Sequence, residues 1–310
     1  MSTLIFIDTN IYLDFYRVRG TDATLSILKH FDANHDRIIT TSEVEMEYKK
    51  NRQRVIIESL STFKPQDSSN LLMPAFLRES KRNKSIIKTQ KGLSDQIQKL
   101  KDRTARLLIS PGRNDPVYMA LQRLFKTKGD CHLTRTEKVR FQVRELAQKR
   151  FFLGYPPRKP SDTSIVDAIN WEWIIYCAQH CSSDIVIVSR DSDYGIYHEG
   201  KSILNDWLLL EFKERVSQKR SILLTNKLTE AFKKASIIVS TEEEKSEEKL
   251  LEDIRLKNDF LKSYTLDNEK LLRNNVIHEL ENIDIKQIEE MVLDILSKEK
   301  KSSSSDSINQ

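Results

Sequence analysis

Two stretches decide the fold: Leu4-Ile5-Phe6-Ile7-Asp8-Thr9-Asn10 and Asp184-Ile185-Val186-Ile187-Val188-Ser189-Arg190-Asp191-Ser192-Asp193. Each holds a short, continuous apolar run that stops at a polar, acidic tip. A run without alternation is buried on both faces, as strands are in a parallel sheet covered by helices. Ile38-Ile39-Thr40 predicts a third strand and Ile237-Ile238-Val239 a fourth. Helical stretches lie between them. Thr41-Ser42 can cap a helix running through Val44, Tyr48 and Val55. Ser161 to Cys181 places Ile165, Ile169, Trp173 and Tyr176 on one face, after a loop fixed by Pro156, Pro157 and Pro160. Strands alternating with helices predict an α/β domain around a parallel sheet.

The chain has 310 residues, with 51 Lys+Arg, 46 Asp+Glu and a net charge of +5. That length suits one sizeable domain with an appendage. Only seven glycines and seven prolines, in a chain with ample Leu, Ile, Val and Phe, exclude collagen and argue against global disorder. No apolar run approaches the ~20 residues of a membrane span. The N-terminal stretch lacks a basic flank and is broken by Asp8, so it reads as structure rather than a signal peptide.

The net charge conceals a division. Residues 78–150 carry 20 basic and 7 acidic side chains, a net of +13. Residues 1–77 and 151–240 are close to neutral, and residues 241–301 carry 11 basic and 17 acidic, a net of −6. The basic block lies within a helical insertion, about residues 64–150, that interrupts the alternation of a domain spanning 1–240. Such a block is the footprint expected for a nucleic acid, the alternative being a solvated helical face, and Lys81, Arg82 and Lys84 stand at its start. Residues 241–301 form an acidic helical appendage in which Ile285, Ile288, Val292, Ile295 and Leu296 make an apolar stripe. That stripe predicts packing on the first domain, or a homo-oligomer or regulatory-protein contact. Residues 302–310 read as a disordered tail.

In an open parallel sheet, sites form beyond the carboxyl ends of the strands. Asp8 follows the first strand there, and Asp191 and Asp193 follow the last core strand. Glu47 on the helix after Ile39 and Asp167 on the helix after the proline loop can join them, with Glu172 pointing elsewhere or assisting. Several carboxylates together repel one another and raise each other's pKa, so they need cations. Hard oxygen donors suit Mg2+ or Mn2+, which can activate water and neutralise a phosphodiester. No glycine-rich phosphate loop, GxSxG or HExxH competes with this reading.

IFIDTN, TTSEVEMEYKKNR, GYPPRKPSDTSIVDAINWE and DIVIVSRDSDYG, in this order, resemble the PIN-like nuclease family. The pattern is similar to a bacterial branch with a proline-containing loop before its third acidic motif. The resemblance covers residues 1 to about 215. It implies a PIN-like parallel sheet flanked by helices. It also implies that Asp8 is the first metal-binding aspartate with Asn10 its polar neighbour. Glu47 matches the helical glutamate, Glu43 sitting too early. Asp167 matches the third acid, with Val166 where that branch often has glycine. Asp191 and Asp193 match the last acids, and Ser189 the hydroxyl that orients the first aspartate.

The implied activity is metal-dependent phosphodiester hydrolysis. Asp8, Glu47, Asp167 and Asp191 would hold Mg2+ or Mn2+ with Asp193 assisting, most often on RNA, in a toxin or phage-defence setting. Arg158 and Arg190 are candidate phosphate contacts, Arg190 alternatively pairing with a nearby acid. The competing readings are a DNA nuclease and a nucleic-acid-binding or interaction module without catalysis. Three cysteines, Cys131, Cys177 and Cys181, read as reduced thiols of a cytoplasmic protein. A zinc site at Cys177, His180 and Cys181 would need Cys131 or His132 as a further ligand.

Overall fold

A computed structural model describes residues 2–17, 25–61, 75–158 and 164–256. The chain divides after Leu250 into two compact units. The second is described over residues 251–256 alone, which are helical; the stripe from Ile285 to Leu296 and the tail 302–310 lie outside the described residues.

The first unit begins with β1 (Thr3–Ile7), α1 (Thr9–Leu13), α2 (Leu28–Ala33), β2 (Ile38–Thr41) and α3 (Ser42–Ser61). α4 (Ala75–Arg78), α5 (Lys81–Ile109), α6 (Pro111–Asn114), α7 (Pro116–Lys126), β3 (His132–Leu133) and α8 (Val139–Leu153) follow. Then come α9 (Val166–Cys181), β4 (Asp184–Val188), β5 (Gly195–His198), β6 (Lys201–Leu204), α10 (Asp206–Arg215), β7 (Ile222–Thr225) and α11 (Leu228–Lys234). Helical residues 241–250 close the unit.

Five strands form one sheet in the order β3-β2-β1-β4-β7, every pairing parallel. β1 is central and apolar on both faces, with Ile5, Phe6 and Ile7 fully buried. α9 packs against β2 and β4, and α11 against β1 and β4. β5 and β6 make a separate antiparallel hairpin. Gly195 opens it because a Cβ there would lie 2.0 Å from the Ile203 carbonyl oxygen.

Three expectations change. Residues 237–239 are not a strand: Ile237 is buried, but Ile238 is 91% exposed. The edge is instead β7, whose Val188↔Thr225 register continues the sheet. The helix expected from Ser161 is described from Val166, residues 159–163 lying outside the described residues. The basic insertion is only partly an excursion. α7 packs on α2, β3 extends the sheet from β2, and α8 lies along α9. α5 is the part that stands out: Lys81, Arg82 and Lys84 are exposed, and Ile97 is its buried residue.

Arg150 of the basic block and Arg52 outside it also enter the core. Arg150 of α8 donates to Glu172 at 2.9 Å and pairs with Glu211, while Arg215 donates to both acids. Arg52 joins Asp115, Tyr16 and the Leu107 carbonyl, and Asp115 caps α7 by accepting from Tyr118 N. Such buried charges are held only with full hydrogen bonding, so these side chains are structural and not available to a ligand.

Candidate active site

The register of the sheet puts two polar tips side by side. Asp8 N donates to the Val188 carbonyl at 3.0 Å, and Ser189 N to the Thr225 carbonyl at 3.0 Å, one step beyond the strands. Ser189 Oγ therefore reaches Asp8 and donates to its Oδ2 at 2.6 Å. Asn10, at the start of α1, donates from Nδ2 to the same oxygen at 2.7 Å, and Thr9 N donates to Oδ1 at 2.7 Å. The acid is thus a helix cap and is also clamped from the neighbouring strand. Both supporting residues read from the sequence, Asn10 and Ser189, occupy these positions.

One cleft of about 340 Å³ is lined by Asp8, Glu47, Asp167, Asp191 and Asp193, with Thr9 and Asn10 beside them. Glu47 reaches it from α3 because it lies one turn beyond Glu43 on the same helix. Thr9 Oγ1 donates to Glu47 at 2.9 Å, a contact the sequence did not signal. Glu43 is occupied instead by Arg144 at 2.9 Å and Ser42. Asp167 enters from the first turn of α9. Glu172, farther along α9, turns into the arginine cluster.

Burial pushes the Asp8 carboxyl up to about 7; the bonds from Ser189 and Thr9 oppose this, and the charges of Glu47 and Asp191 add to it. Tyr194, directly after Asp193, is fully buried, and burial followed by the charges of Asp167, Asp8, Asp193 and Glu47 drives its phenol far up. Among the described residues, its hydroxyl has no hydrogen-bond partner, and neither has that of Tyr12 beside Asp8.

An all-carboxylate donor set fits a hard divalent cation in kind. Among the described residues, however, no three such side chains are gathered into a single chelating group.

The remaining expected residues separate. Arg190 does not face the cleft. It pairs with Asp14 and lies 3.4 Å from Glu247, and its Nε donates to the Asn226 carbonyl at 3.2 Å. Its role as a phosphate contact is therefore corrected in favour of the ion pair: two buried acids next to it leave no charge to offer outside. Arg158 donates to the Phe151 carbonyl at 2.6 Å and stacks on the Phe151 ring. The zinc constellation does not assemble either. His132 is bonded to Thr40 and the His35 carbonyl, and His180 stacks on Tyr176, while Cys131 and Cys181 sit 3.8 Å apart as free thiols.

The family model described as PIN domain matches residues 5–194, more than half of the chain and every acid that lines the cleft. The chain belongs to the PIN-domain family. No curated protein and no solved structure gives a significant match. PIN domains are generally nucleases that use divalent metals, so membership supports a hydrolase with a nucleic-acid substrate. Among the described residues, no helix of this PIN protein is long and apolar enough to cross a membrane.

Proposed function

We propose that this chain is a Mg2+- or Mn2+-dependent nuclease of the bacterial PIN-like branch, an endoribonuclease of toxin or phage-defence type. The observation that carries the reading is the convergence of Asp8, Glu47, Asp167, Asp191 and Asp193 on one cleft at the carboxyl edge of the sheet. Asp8, Glu47, Asp167 and Asp191 would hold the cation, with Asp193 assisting. When bound, it would supply an activated water and neutralise charge on the phosphodiester.

The chain's own residues prepare that site. Ser189 and Asn10 fix one oxygen of Asp8 and Thr9 N the other, so the carboxylate presents a set direction. Thr9 Oγ1 holds Glu47 against the same turn. The exposed Lys81, Arg82 and Lys84 would hold the nucleic-acid backbone. RNA is favoured over DNA by family habit, and the free thiols agree with a cytoplasmic setting. Residues 241–301 are proposed to meet a second copy or a regulatory protein beyond the part that packs in the first unit.

Purified protein with labelled tRNA, mRNA, single-stranded DNA and duplex DNA, with and without Mn2+, tests the reading. RNA cleavage that needs the metal and falls to background in Asp8→Asn and Asp191→Asn is expected. Cleavage of DNA alone would move the substrate. Binding without cleavage would make the chain a non-catalytic nucleic-acid-binding module. Full activity in both variants would overturn the site.

A further inference from the structure

Residues 241–250 are tied to the acidic loop by one carboxylate. The segment begins with a capping box: Ser240 Oγ accepts from Glu243 N at 3.3 Å, and Glu243 accepts from Ser240 N at 2.9 Å. Glu243 also meets His30 at 3.3 Å and Lys29 at 3.4 Å, which pins the segment to α2. One turn later, Glu247 turns elsewhere. Its Oε1 accepts from Leu228 N at 2.6 Å, and its Oε2 accepts from Thr229 N at 2.8 Å and Thr229 Oγ1 at 2.6 Å. The same carboxylate faces Arg190.

Arg190 is the residue between Ser189 and Asp191. Its backbone N reaches Asn10 Oδ1 at 3.4 Å, and Asp191 N donates to Ser189 Oγ at 3.1 Å. Its side chain is 13% exposed, and the acids on either side of it, Asp14 and Glu247, are 1% and 4% exposed. The guanidinium is therefore a buried cross-link. It joins the turn after α1, the loop after β4, the Asn226 carbonyl before α11 and the segment 241–250. A charge in such surroundings cannot swing out without leaving buried carboxylates uncompensated.

We propose that Glu247 is a positioning residue of the candidate cation site: through Arg190 it sets the 189–193 loop that carries Asp191 and Asp193. The segment 241–250 is thereby a latch on the cleft rather than an appendage, and breaking its Glu247–Arg190 contact loosens the ligands. This rests on the nuclease reading. Two features separate a latch from mere packing. Glu243 secures the same segment without touching the loop, and Asp14 still holds Arg190 when Glu247 is changed, so the loop would relax rather than unfold.

The full-length chain is tested as Glu247→Gln and Glu243→Gln, with thermal melting, Mn2+ affinity by calorimetry, and kcat and KM for RNA cleavage. Changing an outer-shell partner weakens metal affinity or activity by about 10-fold or more. Glu247→Gln should therefore raise the Mn2+ Kd about 10-fold and lower kcat with little change in KM. Glu243→Gln should leave the Mn2+ Kd within about 2-fold of wild type, below that outer-shell range, whatever it does to melting. Should Glu247→Gln not fold, Arg190→Lys keeps the charge, loses the fork and carries the same expectation. Wild-type Mn2+ affinity in a folded Glu247→Gln or Arg190→Lys variant would overturn the latch while leaving the nuclease reading intact. Equal weakening by Glu243→Gln would also overturn it. A wild-type chain that neither binds Mn2+ nor cleaves would overturn the nuclease reading and the latch with it.

Discussion

Asp8 and Glu172 are both buried carboxylates, 8% and 3% exposed, within the same α/β core. Their surroundings differ in one respect. Glu172 is bound by the guanidinium groups of Arg150 and Arg215. Asp8 is bound by a backbone amide, a carboxamide and a hydroxyl, all neutral. Helix α9 repeats the contrast within itself, since its first turn sends Asp167 to the cleft and its middle sends Glu172 to the arginines. The chain supplies its own cations where a buried acid is structural. At Asp8 it supplies orientation alone, and the carboxyl answers by rising to about 7.

The comparison can be broken most severely at Glu172. Glu172→Ala leaves the buried Arg150 and the partly exposed Arg215 to share Glu211 alone, and should cost up to about 3 kcal/mol in urea unfolding. A loss below about 1 kcal/mol, the range of an exposed pair, would mean that the cluster is solvated and the contrast false.

At Asp8 the sign reverses. The unfolded aspartate titrates near 3.8 and the folded one near 7, so between these values the native chain holds the extra proton. Stability of the metal-free protein should therefore fall as pH rises from about 4 through about 7, by a few kcal/mol at most. Asp8→Asn should flatten that slope in melts from pH 4 to 8, and Mn2+ should oppose it in the wild type. Glu243 cannot mimic the effect. Burial works against its charge, but the bonds from Ser240, Ser26 and His30 outweigh this and bring it down to about 2, so its contribution is complete above the usual carboxylate range. A parent and variant with the same pH slope would remove Asp8 from the argument.

The smallest effect is on the surface. Lys81, Arg82 and Lys84 are exposed, unlike Arg52 and Arg150. Replacing the three with Gln should leave melting unchanged. On a single strand it should flatten the plot of log K against log salt by about 0.7 for each phosphate that is no longer neutralised. An unchanged slope would assign this face of α5 to solvent.

Much of this was legible because the decisive signals are local. β1 and β4 are continuous apolar runs, and the acids that matter follow them directly. β3 was not legible, being two residues whose position depends on pairing with Thr40 and Thr41. Residues 237–239 carry a β-branched strand signal, yet they come after the sheet has acquired its edge at β7. The fate of individual arginines was illegible for a different reason. Arg190 and Arg150 look like any residues of a basic surface until partners 57 and 22 positions away close on them. Charge counts record sign and density, while burial decides which charges face outward. Glu247 falls under the same rule: an acid in an acidic run became a helix cap and an ion-pair partner.

The central place of β1 has a consequence for synthesis. β1, made before the other strands of its sheet, pairs with β4, whose register partners Thr3↔Asp184 to Ile7↔Val188 are 181 positions later in the chain. A nascent chain that has not yet reached β4 thus has Asp8 but neither Ser189 to aim it nor Asp191 to face it. Long-range closure of this kind is slow, because the loop entropy is lost before any contact repays it. The acidic cleft comes into being last, when nearly the whole first unit has been translated. A translation product cut short before β4 would carry the first acids into the cell without the blade they belong to.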